Sequence, residues 1–263
     1  MDKTSVKDEF INDIENDNYG VRARQLELLA MLKEVDAFFS ENGIKYSLFS
    51  GTLLGAVRHD GFIPWDDDVD IVVDRNNYNK LLKLFEDKAN STRFVVNRIL
   101  WINRIQDRND DSGSLTTPTI DIFVFDNCPD NGFVRKLKLL LIKCLQGMMK
   151  TEKTTASVSA FYKLCLVVTR VIGKLFTQRF KFRMYDRVAR IGNKKVSRYL
   201  GSYFSTFNCL HLQYSNTLMK EMTEHKFEDT VMPITAEYDS YLTTVYGDYM
   251  TPPKKEDRIS QHI

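Results

Sequence analysis

Gly51-Thr52-Leu53-Leu54-Gly55-Ala56-Val57-Arg58-His59-Asp60-Gly61-Phe62-Ile63-Pro64-Trp65-Asp66-Asp67-Asp68-Val69-Asp70-Ile71 passes from a helix-forming segment, through a loop punctuated by Gly61 and Pro64, into an acidic strand. Val69 to Val73 has the make-up of a buried strand interrupted only by Asp70. Residues two apart on a strand share a face, with positions about 6–7 Å apart. Asp68 and Asp70 therefore aim at one place, while Val69, Ile71 and Val73 alternate toward the core. Carboxylates held this close raise one another's pKa, and a divalent cation removes that cost. Oxygen donors without histidine or cysteine select a hard ion, Mg2+ or Mn2+.

A second strand, Thr119 to Phe125, carries Asp121 as one acid among apolar residues. Neighbouring strands lie about 5 Å apart, so Asp121 is expected as the third carboxylate, with the metal as the partner its buried charge requires. The triplet Asp66-Asp67-Asp68 taken alone reads as a solvated loop. The acids inside two strands are what favour a metal site. Asp66 joins the face of Asp68 and Asp70 only if the extended backbone begins early, and Asp67 is left open. On the other side of the loop, Tyr46–Ser50 reads as a short strand and Leu53–Arg58 as a short helix, with Gly51-Thr52 as the turn between them. Glycine lets a phosphate approach the backbone, and helix N-terminal amides favour an anion. Gly51 and Thr52 are thus candidate phosphate contacts, although the same pattern serves a plain turn. Arg58 and His59 follow closely enough to contact phosphates as well, or to lie on the surface.

Further out, Leu26, Leu29, Leu32, Val35 and Phe39 predict an amphipathic helix over Val21–Asn42, ended by Gly43. Asn76 or Asn77 is placed to cap a helix containing Tyr78, Leu81, Leu82 and Phe85. Two strand-like pieces follow near 93–99 and 101–105. Beyond about Asn131 the chain turns helical, basic and leucine-rich, chiefly over Phe133–Lys150 and Phe161–Val188. The expectation is an α+β protein: a catalytic core over residues 1–130, then a helical elaboration over 131–263 whose C-terminal segment returns to the core.

A content of 43% hydrophobic and 27% charged residues is ordinary for a globular chain, and a net charge of +2 gives no sign of nucleic-acid binding. Cys128, Cys144, Cys165 and Cys209 form no C-x-x-C pair, which argues against zinc or a disulfide framework and fits a reducing compartment. Met1–Asp17 lacks the apolar centre of a signal peptide, and Phe161–Phe176 is broken by Lys163, Arg170 and Lys174. The expected location is the cytoplasm. Two readings of the basic helices stay open: contact with the inner face of a membrane, or packing of their apolar faces on the core.

The run from Gly51 to Ile71 resembles the signature of the LicD family, which includes bacterial phosphorylcholine transferases and is related to the fukutin group of sugar-phosphate transferases. Ile120-Asp121-Ile122-Phe123 is similar to the family's next acidic strand. Tyr241-Leu242, Tyr246-Gly247-Asp248-Tyr249 and Pro252-Pro253 resemble its C-terminal segment, with His262 near the end. Residues 131–208 match no motif of it. The resemblance implies a nucleotidyltransferase-like core, a small mixed sheet with packed helices. It also implies transfer of phosphocholine, or a similar group, from a CDP-linked donor such as CDP-choline. The acceptor would be a hydroxyl of a cell-surface glycan (lipopolysaccharide, teichoic acid or capsule) or its lipid-linked precursor. Asp68, Asp70 and Asp121 correspond to its metal-binding, catalytic acids, and Gly51 and Thr52 to the turn facing the donor. Nucleotidyl transfer to a small molecule and a catalytically inactive binding subunit are the alternatives.

Overall fold

The computed structural model describes residues 10, 13–14, 16–88, 92–109, 117–150 and 160–259. His262 and most of the loop between Asn109 and Thr117 lie outside them. The chain divides into two compact units: Met1–Asn97 with Asn103–Phe123 and Thr217–Ile263, and Arg98–Ile102 with Val124–Asn216.

The first unit contains helix α1 (Arg22–Glu41), strand β1 (Ser47–Leu48), α2 (Ser50–His59), β2 (Val69–Asp74) and α3 (Arg75–Asp87). Strands β3 (Phe94–Ile99), β4 (Ile102–Asp107) and β5 (Ile120–Asn127) follow, in the order β1-β2-β5-β4-β3. β1 is antiparallel to β2, with Leu48 opposite Ile71, and β4 is antiparallel to β5, with Arg104 opposite Asp121. β2 and β5 are neighbours, which brings the two acid-bearing strands side by side. Their apolar residues Val69, Ile71, Val73, Ile120 and Ile122 are fully buried, each contributing about 1.5–3 kcal/mol by leaving water.

Helix α1 turns inward the face its apolar residues predict, except at Leu26. Gln25, Leu28, Leu29, Leu32, Val35 and Phe39 are buried, whereas Leu26 is 51% exposed. The polar Gln25 takes the place that the apolar pattern gives to Leu26, because its amide serves the acidic loop. Helix α3 is capped by Asp74, which accepts from the Asn77 N–H at 2.7 Å, rather than by an asparagine. The sequence conceals a hairpin, β8 (Met222–Phe227) and β9 (Thr230–Thr235), followed by α7 (Tyr238–Tyr246). Charged residues on β8 and Pro233 on β9 hide its two-residue period. Its turn residue Glu228 has φ 57, and Arg22 (2.7 Å) and the Phe62 N–H (3.1 Å) hold its carboxylate.

In the second unit the later half of β5 pairs with β6 (Tyr199–Ser202), and β6 pairs with β7 (Tyr214–Ser215). Helix α4 (Gly132–Met149) starts at Asn131, whose Oδ1 accepts from Phe133 and Val134. The stretch read as continuous from Phe161 to Val188 is two helices, α5 (Ala160–Gly173) and α6 (Gln178–Ala189). Gly173 ends the first, and the Thr177 hydroxyl caps the second. Gln146 of α4 donates to Tyr185 Oη and to the Ser205 carbonyl, joining α4 to α6.

Candidate active site

Helix α2 begins three residues before the expected start, so Ser50, Gly51 and Thr52 form its first turn. Ser50 carries φ 46, a left-handed conformation rare for a residue with a side chain. That kink lets the chain leave β1 and enter the helix at once, aiming the helix N-terminus at β2. The buried Thr52 Oγ1 accepts from the Asp70 N–H at 2.9 Å, and the Ser50 side chain hydrogen-bonds the Asp70 carboxyl. Thr52 Oγ1 therefore fixes the backbone of the strand beside the acids. Thr52→Val keeps the shape and orphans a buried N–H, for an expected loss of about 1–3 kcal/mol in chemical denaturation.

Four carboxyls gather in front of this turn. Burial pushes the Asp70 carboxyl well up, and Asp68, Asp121 and Asp66, in that order, add to the effect. Asp66 is raised for the same reason, burial first and then Asp68 and Asp67, and its carboxyl hydrogen-bonds that of Asp68. Asp66 thus joins Asp68, Asp70 and Asp121. A Cβ on Gly51 would lie 2.8 Å from Asp66 Oδ2, so glycine here makes room for an acid.

Asp121 has a protein partner that sequence reading missed. Arg104, opposite it on β4, grips both oxygens, Nε to Oδ1 at 2.6 Å and Nη2 to Oδ2 at 3.1 Å. This fork compensates the charge of the buried acid. In Ile102-Asn103-Arg104-Ile105 the arginine looks like an ordinary polar position of an alternating strand, and only the register reveals its partner. From α1, Gln25 Nε2 donates to the carbonyls of Ile63 and Asp66 at 3.1 and 2.9 Å. Arg24 reaches the Thr117 carbonyl at 2.9 Å and feels the charges of Asp67 and Asp68. These two side chains hold the acidic loop from behind.

Arg58 faces the C-terminal segment. Arg58 is 3% exposed; its Nη1 donates to the Tyr249 carbonyl at 3.0 Å and its Nε to His59 Nε2 at 2.9 Å. Burial pulls its pKa down to about 10, opposed by Tyr246 and assisted by Arg258, which leaves it cationic at neutral pH. The His59 ring lies edge-on to Phe10 (5.1 Å) and Trp65 (6.5 Å). Tyr246 Oη sits 3.2 Å from Ser50 Oγ, so α7 reaches the same helix N-terminus as the acids.

Among the described residues no three histidine, cysteine or acidic side chains stand in a ready-made metal cage. The donor set nonetheless suits a hard cation. It is all oxygen, and the crowding of its carboxyls, eased at Asp121 by Arg104, is of the kind a divalent ion would relieve through charge.

Residues 43–141 match the family described as LicD/FKTN/FKRP, nucleotidyltransferase domain. The lipopolysaccharide cholinephosphotransferase LicD of Haemophilus influenzae is 26% identical over 267 residues, covering 92% of this chain and 96% of that protein. An uncharacterized protein of Rickettsia prowazekii is 44% identical over 66 residues, 24% of this chain and 25% of its own. One from Rickettsia typhi is 38% identical over 80 residues, 29% of this chain and 26% of its own. The family match contains Asp66, Asp68, Asp70 and Asp121 together with Ser50, Thr52 and Arg104, and the Haemophilus relative aligns along nearly the whole chain. Residues 43–141 thus form a LicD-family nucleotidyltransferase domain, and the chain around it is similar to the Haemophilus protein.

Proposed function

We propose that this protein transfers phosphocholine, or a similar phospho-substituent, from a CDP-linked donor to a hydroxyl of a glycan or its lipid-linked precursor, with Mg2+ or Mn2+ as cofactor, on the cytoplasmic side of the membrane. The convergence of Asp66, Asp68, Asp70 and Asp121 on the N-terminus of α2 carries this reading. A relative named for cholinephosphotransferase activity supports the choice of group.

Asp68 and Asp70 would hold the ion, with Thr52 and Ser50 keeping Asp70 in place. The ion supplies Lewis-acid polarisation of the phosphoryl group and charge for the leaving group. The first-turn amides of α2 favour the donor phosphates, which requires Asp66 to leave Gly51. Asp121, oriented by Arg104, accepts the proton of the acceptor hydroxyl or takes a place on the ion. The hydroxyl oxygen forms a bond to the donor's distal phosphorus, the bond to the bridging oxygen breaks, and CMP departs with the electron pair.

The product separates this from nucleotidyl transfer. Incubation with CDP-choline, with other CDP-linked donors, or with CTP, each with Mg2+ and an acceptor glycan, is expected to release CMP from one of the CDP-linked compounds. Pyrophosphate released from CTP, with CDP-linked donors untouched, would overturn the proposal.

A further inference from the structure

Residues 131–200 hold 17 lysines and arginines against two acids, leaving 20 bases and 33 acids for the rest of a chain whose net charge is +2. This basic stretch lies in the second unit and contains α4, α5 and α6. α5 is attached to α4 along a single strip. Gly147 of α4 leaves room only for Thr169, and Gly173 of α5 meets the Met148 backbone too closely for a side chain. Arg170 Nε donates to the Lys150 carbonyl at 3.3 Å. Leu166, Thr169, Arg170 and Gly173 form that strip, spaced as one helix face. From Lys163 to Ile172 every other residue of α5 is exposed, including Leu164 at 60% and Val171 at 58%. Leu175, just beyond, is 79% exposed, and α4 adds an outer face with Phe133 at 76%.

So much contiguous aliphatic surface is unusual on a protein that meets only water. Its surroundings indicate what covers it. Lys136, Lys163, Lys174 and Arg179 are exposed, and neither α4 nor α5 contains an acid. A second copy on this face would bring like charges together, whereas an anionic lipid surface complements both the cations and the aliphatic side chains. The 14 residues of α5 extend about 21 Å, short of the roughly 30 Å hydrocarbon core, so the helix fits the plane of a bilayer rather than its normal. No helix among the described residues is long and apolar enough to cross a membrane.

We infer that α5, with the segment through Leu175 and the outer face of α4, is a docking surface for an anionic lipid bilayer. Val167, Val171 and Leu175 enter the head-group boundary, and Lys163 and Lys174 pair with lipid phosphates. The inference is independent of the transfer chemistry.

Co-sedimentation of the full-length protein with vesicles of phosphatidylglycerol and phosphatidylcholine, or of phosphatidylcholine alone, tests it. Binding is expected only to the anionic vesicles and is expected to weaken as salt rises. Val167→Asp/Val171→Asp and, separately, Lys163→Glu/Lys174→Glu are each expected to reduce partitioning at least about tenfold. All four positions are exposed or tolerant of charge, so melting temperature and CMP release should stay at wild-type values. Wild-type protein remaining in the supernatant with anionic vesicles at low salt, or binding unaffected by both double variants, would overturn the proposal. So would sedimentation showing a dimer that Val167→Asp/Val171→Asp dissociates.

Discussion

Asp70→Asn is expected to reduce transfer by at least about 10^2–10^3-fold while making the metal-free protein more stable. The substitution keeps the side chain's shape and leaves the backbone bond to Thr52 untouched. It removes only the capacity to carry charge among Asp68, Asp121 and Asp66, in a buried position. The folded pKa of Asp70 lies above the unfolded value of about 3.9. Stability tied to this group is therefore complete below about pH 4 and is lost as pH rises through the folded value. Wild type and variant should melt together near pH 4 and diverge toward pH 8, the asparagine form being higher. Each kcal/mol is worth about 2–4 °C in a chain of this size. Thermal melts in EDTA across that range test the prediction, and Mg2+ should close the gap by stabilising only the wild type. A variant that melts below wild type at pH 8 in EDTA would show that the acids are not in conflict.

Gly55→Ala is expected to have the largest effect on stability. A Cβ there would lie 2.5 Å from the Gly61 carbonyl oxygen and 3.1 Å from the Ile63 nitrogen. Both are backbone atoms, so no rotamer change relieves the clash. The loop from Gly61 to Ile63 leads directly into Trp65–Asp70, and Gln25 holds it from the other side. Moving that loop costs stability, about 2–3 kcal/mol for an overpacked site, or roughly 4–12 °C. It also displaces the acids, so activity should fall further than stability accounts for at a temperature where the variant is fully folded. Gly132→Ala is a suitable control. It stands in the first turn of α4 with only an arginine side-chain nitrogen nearby, at 3.9 Å, and should melt as wild type. Equal melting temperatures for Gly55→Ala and wild type would refute the close crossing.

The α+β architecture was legible because its decisive elements are local. Apolar strands with one acid each, and helices with a 3.6-residue period, announce themselves within a few residues, and Asp68 and Asp70 share a face by covalent geometry alone. What escaped depends on register or backbone strain. Arg104 gains its meaning from standing opposite Asp121, a pairing across 17 positions that no local pattern encodes. The early start of α2 rests on Ser50 adopting a left-handed conformation that residue type does not favour. Gln25 looks like a solvent-facing residue until the carbonyls of Ile63 and Asp66 are brought to it. The β8–β9 hairpin has a proline and several charges where β-formers are expected, and is held in part by the Thr235 N–H donating to Ser47 Oγ at 2.9 Å.

That last bond ties β9 to β1, beside the acid-bearing strand β2, although nearly 190 positions separate Ser47 from Thr235. The acid-bearing unit is thus written in three instalments, with Val124–Asn216 between the second and third. At about 5–20 residues per second, a ribosome spends roughly 5–20 s on that interval. Throughout it the nascent chain carries β1, β2 and the aspartates without the hairpin that completes their surroundings, while the basic helices are being made. The order of translation therefore lets the insert fold first and postpones assembly of the acids until the segment from Thr217 has been read.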